Sequence, residues 1–165
     1  MREPSVATLI AVAECYPVPG ITLRYKRLNA AVMRPRWLLP KKNHLYPAHA
    51  NLQASEALLP RPVTREKLYV NLHERGHLRL KHFGTHWTRS PFKRTKYTRK
   101  NELPGHVEEW QAEMFAHRTM RKHGIAVPRH MTRDAKGYVR DWIASDRRKG
   151  IKIDARVEKW CGTTG

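Results

Sequence analysis

Hydrophobic and polar side chains follow a helical spacing over much of the chain after residue 63. One such pattern runs from 64 to about 82, and the positions that would face its core are four apart: Leu68, Leu72, Gly76 and Leu80. Similar patterns run from about 105 to 124 and from about 132 to 149. A last helical turn is predicted after Asp154, a residue type that often caps helices.

The N-terminal part has a different pattern. Residues 21–28 alternate between apolar and polar side chains, which predicts a half-buried strand. Residues 5–16 fit either a buried strand or a short helix. Residues 43–62 contain three prolines and are predicted to form a connection with one short helix at 52–59. Together these patterns predict an α+β fold in a single domain, 1–165.

The helix predicted from residue 64 carries a His-Glu-x-x-His motif. His73 and His77 are four residues apart, so they lie on one helix face and can bind the same metal ion. Glu74 lies beside them, where it could deprotonate a metal-bound water. Zn²⁺ suits two imidazoles and a carboxylate, with a fourth position open to water. A chance occurrence of the motif is the alternative. Gly76 weakens a helix by roughly 1 kcal/mol relative to Ala, so its place here predicts a close backbone neighbour.

The next predicted helix can supply the carboxylate. Glu109 and Glu113 are four residues apart and therefore share a helix face. If that face packs against the histidines, a site with two histidines and one glutamate results. The alternative is that both are surface carboxylates that pair with arginines such as Arg118 or Arg121.

The charge balance is strongly basic. The chain has 33 Lys and Arg residues against 14 Asp and Glu, a formal net charge of +19. This excess favours a polyanionic partner, with DNA or RNA as possible partners. Residues 24–42 and 81–100 each carry seven basic residues and no acid, interrupted by aromatic residues. The residues we predict to contact nucleic acid or substrate are Arg89, Lys93, Arg94, Lys96, Tyr97, Arg99 and Lys100. A basic loop with no such role is the alternative.

Cysteine content and hydropathy bear on the compartment. Cys15 and Cys161 lie near opposite ends and give no disulfide framework, which favours a reducing environment. The apolar run at 6–13 is too short to span a bilayer. We therefore expect a cytoplasmic protein with no membrane partner.

Two motifs taken together resemble a known group of enzymes. The His-Glu-x-x-His helix is followed by Glu-x-x-Ala-Glu-x-Phe-Ala, starting at Glu109. Over about 64–128 this resembles the gluzincin metallopeptidases, most closely the ImmA/IrrE-like peptidases. The resemblance implies that Glu109 is the third metal ligand and that Glu113 supports a metal-binding histidine from the second shell. Arg75 departs from the pattern, because an apolar residue is usual there, and Glu113 stands where Asp or Asn is usual.

The resemblance also implies a fold and an activity. It predicts a zincin-like fold, with a small N-terminal sheet packed on the metal-binding helix pair and a C-terminal helical extension at 129–165. It implies a zinc-dependent metalloendopeptidase in which His73, His77 and Glu109 hold Zn²⁺ and Glu74 is the catalytic base. The basic charge points to an acidic or nucleic-acid-associated protein or peptide as substrate. ImmA-like relatives act on DNA-bound repressors, which implies a role in a phage or mobile element.

Other interpretations remain open from the sequence. The main alternative is a basic nucleic-acid-binding protein with a structural or inactive zincin-type metal site, and a weaker one is a metal-free basic structural protein. The oxyanion-stabilising residue of a peptidase could be Tyr97, Tyr138 or a histidine. The remaining candidate histidines are more typical of surface positions: His82, His86, His106 and His130.

Overall fold

The chain is an α+β protein in which helices are combined with a small mixed sheet. The computed structural model describes residues 3–26, 49–51, 56–80 and 103–162. The elements of these ranges are α1 (Val6–Glu14), β1 (Thr22–Lys26), β2 (His49–Asn51), β3 (Glu56–Pro60), α2 (Arg65–Arg79), α3 (Gly105–Lys122), α4 (Arg129–Arg148) and α5 (Ala155–Cys161).

The sheet has the strand order β1–β3–β2. Strand β1 runs parallel to β3, with Tyr25 opposite Leu59, and β2 runs antiparallel to β3. The strand predicted at 21–28 is confirmed by β1. The short helix predicted at 52–59 is wrong for its second half, because residues 56–60 form β3, and 52–55 lie outside the described residues. A short apolar run ending at a proline fits a buried strand as well as a helix, and Leu59 is fully buried.

Helix α1 decides the ambiguity at the N-terminus in favour of a helix. The side chain of Ser5 caps it by accepting a hydrogen bond from the backbone N–H of Thr8 at 3.1 Å. Its buried face packs against α2 in the main core of the protein. The members of that core with the least exposure are Leu9, Val12, Ala13, Leu68, Tyr69, Leu72, Ala116 and Met120.

Helix α2 begins where the sequence predicts. Thr64 is the N-cap and accepts a hydrogen bond from the backbone N–H of Lys67 at 3.2 Å, while Glu66 lies in the first turn. The helix ends at Arg79, a little before the expected end near 82, and residues 81–102 lie outside the described ranges. Of the four positions predicted to face the core, Leu68, Leu72 and Gly76 are buried, whereas Leu80, at the C-cap, is 44% exposed.

Helices α2 and α3 cross at very short range. A Cβ atom added to Gly76 would lie 3.1 Å from Cα of Ala112 and 3.2 Å from Cβ of Phe115. The prediction of a close backbone neighbour for Gly76 is confirmed. Small residues on both helices, Gly76 and the fully buried Ala112, allow this approach. The crossing also brings His73, one turn before Gly76 on α2, into contact with Glu109, one turn before Ala112 on α3.

The remaining helices pack beside α3. Helix α4 starts at Arg129, three residues earlier than predicted, directly after Pro128. Asp154 caps α5 as predicted, accepting a hydrogen bond from the backbone N–H of Arg156 at 2.8 Å. The second core lies between α3, α4 and α5 and consists of Val107, Val139, Ile143, Val157 and Cys161.

One histidine expected at the surface is instead fully buried. His106 donates from Nδ1 to Oδ2 of Asp146 at 2.8 Å, and its backbone N–H donates to the same oxygen at 3.1 Å. Its Nε2 accepts a hydrogen bond from the backbone N–H of Asp154 at 3.1 Å, which places the ring proton on Nδ1. These bonds join the start of α3 to the C-terminal end of α4 and to the start of α5. His130 is exposed, as expected, and His82 and His86 lie outside the described residues.

Candidate metal centre

Two histidines of α2 and one glutamate of α3 meet just beyond the helix crossing. Nε2 of His73 lies 3.1 Å from Nε2 of His77. Oε2 of Glu109 lies 3.5 Å from each of these two nitrogens. The four-residue spacing places both imidazoles on the face of α2 that meets α3, and the close approach at Gly76 brings Glu109 within reach.

The distances among these three atoms fit a tetrahedral metal ion. Ligands held at about 2.0–2.2 Å by such an ion lie about 3.3–3.6 Å from one another. The two distances to Glu109, 3.5 Å each, lie in this range, and the 3.1 Å between the two imidazole nitrogens is slightly shorter. The point in the plane of the three atoms that is equally far from all of them lies about 2.0 Å from each. Among the residues that the structure describes, His73, His77 and Glu109 are the group of three whose ligand atoms meet closely enough to hold a metal ion.

The side chains of the metal centre are partly exposed to solvent. The exposed fraction is 13% for His73 and for Glu109, and 16% for His77. The cluster is therefore close to the protein surface, and a metal ion with three protein ligands would need one further ligand, such as water, to complete a tetrahedron.

A second layer of polar residues holds His73 from behind. Oε1 of Glu113 lies 3.0 Å from Nδ1 of His73, although the ring N–H is not aligned well enough for a regular hydrogen bond. The hydroxyl of the buried Tyr69 donates to the other oxygen of Glu113. With a proton on Nδ1, His73 turns the lone pair of Nε2 toward the metal position. Among the residues that the structure describes, Glu109 and Glu113 contact histidines and Tyr69, and the alternative pairing with Arg118 or Arg121 is not found.

The charges of the site compensate one another. Burial would lower the pKa of His73, but Glu113 and Glu109 outweigh burial and raise the pKa well above its usual range. Burial would raise the pKa of Glu109, but His77 and His73 hold it far below its usual range. The protein thus stabilises positive charge between these side chains, and a bound cation would use the same field.

Glu74 is half-buried on α2 beside His73. Its negative charge contributes to the raised pKa of His73 and also to that of Tyr138. The pKa of Tyr138 is raised first by burial and next by Glu109. Among the residues considered for oxyanion stabilisation, Tyr138 therefore feels the charge of the glutamates, whereas Tyr97 lies outside the described residues.

Arg75 has a structural role that the sequence did not indicate. It is fully buried inside the motif, and burial lowers the pKa of its guanidinium group. It donates to Oδ1 of Asn71 at 2.8 Å, to the carbonyl oxygen of Tyr16 at 2.7 Å and to the hydroxyl of Tyr25 at 3.0 Å. Asn71 in turn donates to the carbonyl oxygen of Pro60 at 2.9 Å. Arg75 therefore ties the metal-binding helix to β1 and to the segment that follows α1, and Asn71 ties it to β3. The missing signal is non-local, because the acceptors of Arg75 outside its own helix lie in two distant segments.

The predicted contact residues between Arg89 and Lys100 all lie outside the described residues. Within the described residues, no helix is both long and apolar enough to cross a membrane.

Comparisons of the chain with protein-family profiles, with curated proteins and with solved structures found no match.

Proposed function

We propose that this protein is a zinc-dependent metallopeptidase with a zincin-like fold. The observation that carries the proposal is the meeting of His73, His77 and Glu109 at distances suited to one tetrahedral ion. Two imidazole nitrogens and one carboxylate oxygen are typical of catalytic zinc sites, and an open side is what distinguishes catalytic from structural sites. The resemblance of the two motifs to gluzincins supports the same assignment.

Zn²⁺ at this position would lower the pKa of a bound water toward neutrality and polarise a peptide carbonyl. Glu74 is next to His73 in sequence and half-buried beside the site. In the proposed reaction, Glu74 takes a proton from the attacking water as the new C–O bond forms. It then gives that proton to the departing amide nitrogen as the C–N bond breaks, so that the products are a carboxyl group and an amine.

Other residues have supporting roles in this proposal. Glu113, held by Tyr69, fixes the ring of His73 and keeps its Nε2 directed at the metal. Arg75 anchors the helix that carries the motif. The net charge of +19 favours acidic or nucleic-acid-associated proteins as substrates.

The test uses the purified full chain and its Glu74→Gln variant. Metal content is measured by mass spectrometry of the dialysed protein, and hydrolysis is measured with a mixed library of quenched fluorescent peptides. We expect about one zinc per chain in both proteins, and turnover at least about 100-fold lower in Glu74→Gln. Hydrolysis that is equal in both proteins, or zinc bound with no hydrolysis of any library peptide by the unaltered chain, would contradict the proposal.

A further inference from the structure

The exposed flank of α4 carries a row of positive charges that the metal site does not use. The row, called here the basic stripe, consists of Arg129, Arg133, Lys136 and Arg140. Their spacing of four, three and four residues places them within an arc of about 60° on the helix surface. At about 1.5 Å per residue, the four charges extend over about 17 Å in a nearly straight line.

Contacts around the stripe leave most of its charge available. The side chain of Arg133 is 79% exposed, and its contact with Asp134 at 3.4 Å is an exposed pair of the kind that contributes little. Asp134 and Asp141 lie on the neighbouring flank of α4, about 100° from the stripe. Arg147 would continue the line, but it donates to Glu158 at 2.5 Å.

The middle of the stripe is held in place by an aromatic residue of α5. Nζ of Lys136 lies 5.6 Å above the centre of the Trp160 ring. Trp160 is itself partly buried against the second core and meets the His117 ring edge-on at 6.4 Å.

We propose that the basic stripe of α4 binds the phosphate backbone of duplex DNA without reading its sequence. B-form DNA carries one phosphate per strand for about every 3.4 Å of its axis, so a rigid row of four positive charges can contact several neighbouring phosphates of the backbone at once. Single-stranded nucleic acid is a poorer fit, because it needs an open aromatic face for base stacking, and one face of Trp160 is covered by Lys136. An acidic protein surface is also a poorer fit, since no apolar residue lies within the stripe to form an interface centre.

This inference goes beyond the proposed peptidase and does not depend on the metal. The experiment measures binding of the full chain to a fluorescent 24-base-pair DNA duplex by anisotropy over a series of salt concentrations. The stripe variant is Arg129→Gln/Arg133→Gln/Arg140→Gln. The matched control, Lys122→Gln/Arg148→Gln/Lys152→Gln, removes the same charge from exposed positions off the stripe. A third variant, Lys93→Gln/Arg94→Gln/Lys96→Gln, removes it from the basic segment at 81–100.

For the stripe variant we expect the slope of log affinity against log salt to fall in magnitude by about 2 to 3, with affinity at least about tenfold lower. The control should change the slope by less than about 1. Thermal unfolding of each variant shows whether the fold is retained, and Glu109→Gln should bind DNA as the unaltered chain does. Equal losses in the stripe and control variants would overturn the proposal, as would a loss confined to the 81–100 variant or equal stripe-dependent binding of polyglutamate.

Discussion

Two clusters in this protein combine histidine with a carboxylate, and their contacts differ. One is the pair His106 and Asp146; the other is the metal centre of His73, His77 and Glu109. Around His106 every polar atom faces a complementary partner: Nδ1–H faces a carboxylate oxygen and Nε2 faces a backbone N–H. At the other cluster, two ring nitrogens and a carboxylate oxygen face one another at 3.1 to 3.5 Å. A ring proton can serve only one pair of these atoms at a time, whereas a bound cation would serve all three at once.

The difference separates a structural histidine from a ligand histidine within a single chain. The bonds of His106 join three helix ends, and nothing further is needed to complete them. At the metal centre, Glu113 contacts His73 from outside and is itself held by Tyr69, while His73, His77 and Glu109 converge on one point. Burial and a carboxylate neighbour are common to both clusters. The convergence of three possible ligand atoms on one point is what distinguishes the metal centre from the His106 cluster.

The largest expected effect comes from substituting the carboxylate of each cluster in turn and comparing zinc affinity with stability. Glu109→Gln should lower zinc affinity by at least about 100-fold, or about 2.7 kcal/mol, because a charged ligand becomes a neutral amide. Asp146→Ala should leave zinc affinity unchanged, while it lowers the free energy of unfolding by about 1–3 kcal/mol, since the buried N–H groups of His106 lose their acceptor. Zinc titration and urea unfolding of the metal-free proteins measure both quantities. Comparable zinc affinities in the two variants would remove the distinction between the clusters.

A smaller effect is expected at the residue that supports His73. Glu113→Gln should weaken zinc binding by about 10- to 100-fold, because the ring of His73 loses the charge that fixes it. Glu158→Gln, at a surface pair of α5, is the control and should change zinc affinity by less than about twofold. Competition with a chromophoric chelator gives the constants. An unchanged affinity in Glu113→Gln would show that His73 is held by its helix alone.

The helix crossing offers a test of how the metal centre is positioned. Gly76→Ala adds a methyl group 3.1 Å from Cα of Ala112, which should destabilise the protein by about 1–2 kcal/mol after the gain in helix propensity of about 1 kcal/mol. The two helices would separate slightly, so zinc affinity should fall as well. Urea unfolding and zinc titration check the two parts. A more stable variant with full zinc affinity would show that the crossing has room to spare.

The smallest effect concerns the cap of α5, close to the His106 cluster. Hydrogen bonds from Arg156 lower the pKa of Asp154 to about 2. Because the folded-state pKa lies below that of an unfolded chain, about 3.9, this contribution is present above pH 4 and is lost as the pH falls toward 2. Asp154→Asn should therefore lower the thermal midpoint by at most about 2 °C at pH 7 and by less at pH 2.5. A larger effect at low pH would contradict this sign.

How much could be predicted from the sequence depends on whether the determining contacts are local. The cap at Asp154 and the pairing of His73 with His77 depend on residues two or four apart, and both were predicted. The meeting of Glu109 with the histidines was predicted from the helix face that Glu109 shares with Glu113 and from the resemblance of the two motifs. Gly76 predicted only that some backbone lies close, and the structure shows that it is the backbone of Ala112.

Other features depend on partners far along the chain. His106 was expected at the surface because its acceptor, Asp146, is 40 residues away. Arg75 looked like a simple departure from a motif, yet its acceptors lie 50 and 59 residues away, in Tyr25 and Tyr16. The strand β3 was partly taken for a helix because a short apolar run has no period long enough to tell the two apart.

X-ray absorption at the zinc K edge tests the central claim most directly. The full chain is dialysed against a chelator, loaded with one equivalent of zinc and compared with His77→Ala and with the surface variant His130→Ala. The account predicts a first shell of nitrogen and oxygen atoms at about 2.0–2.2 Å with the scattering of two imidazoles, unchanged in His130→Ala and reduced to one imidazole in His77→Ala. Zinc that is not retained, or a spectrum that His77→Ala leaves unchanged, would contradict it.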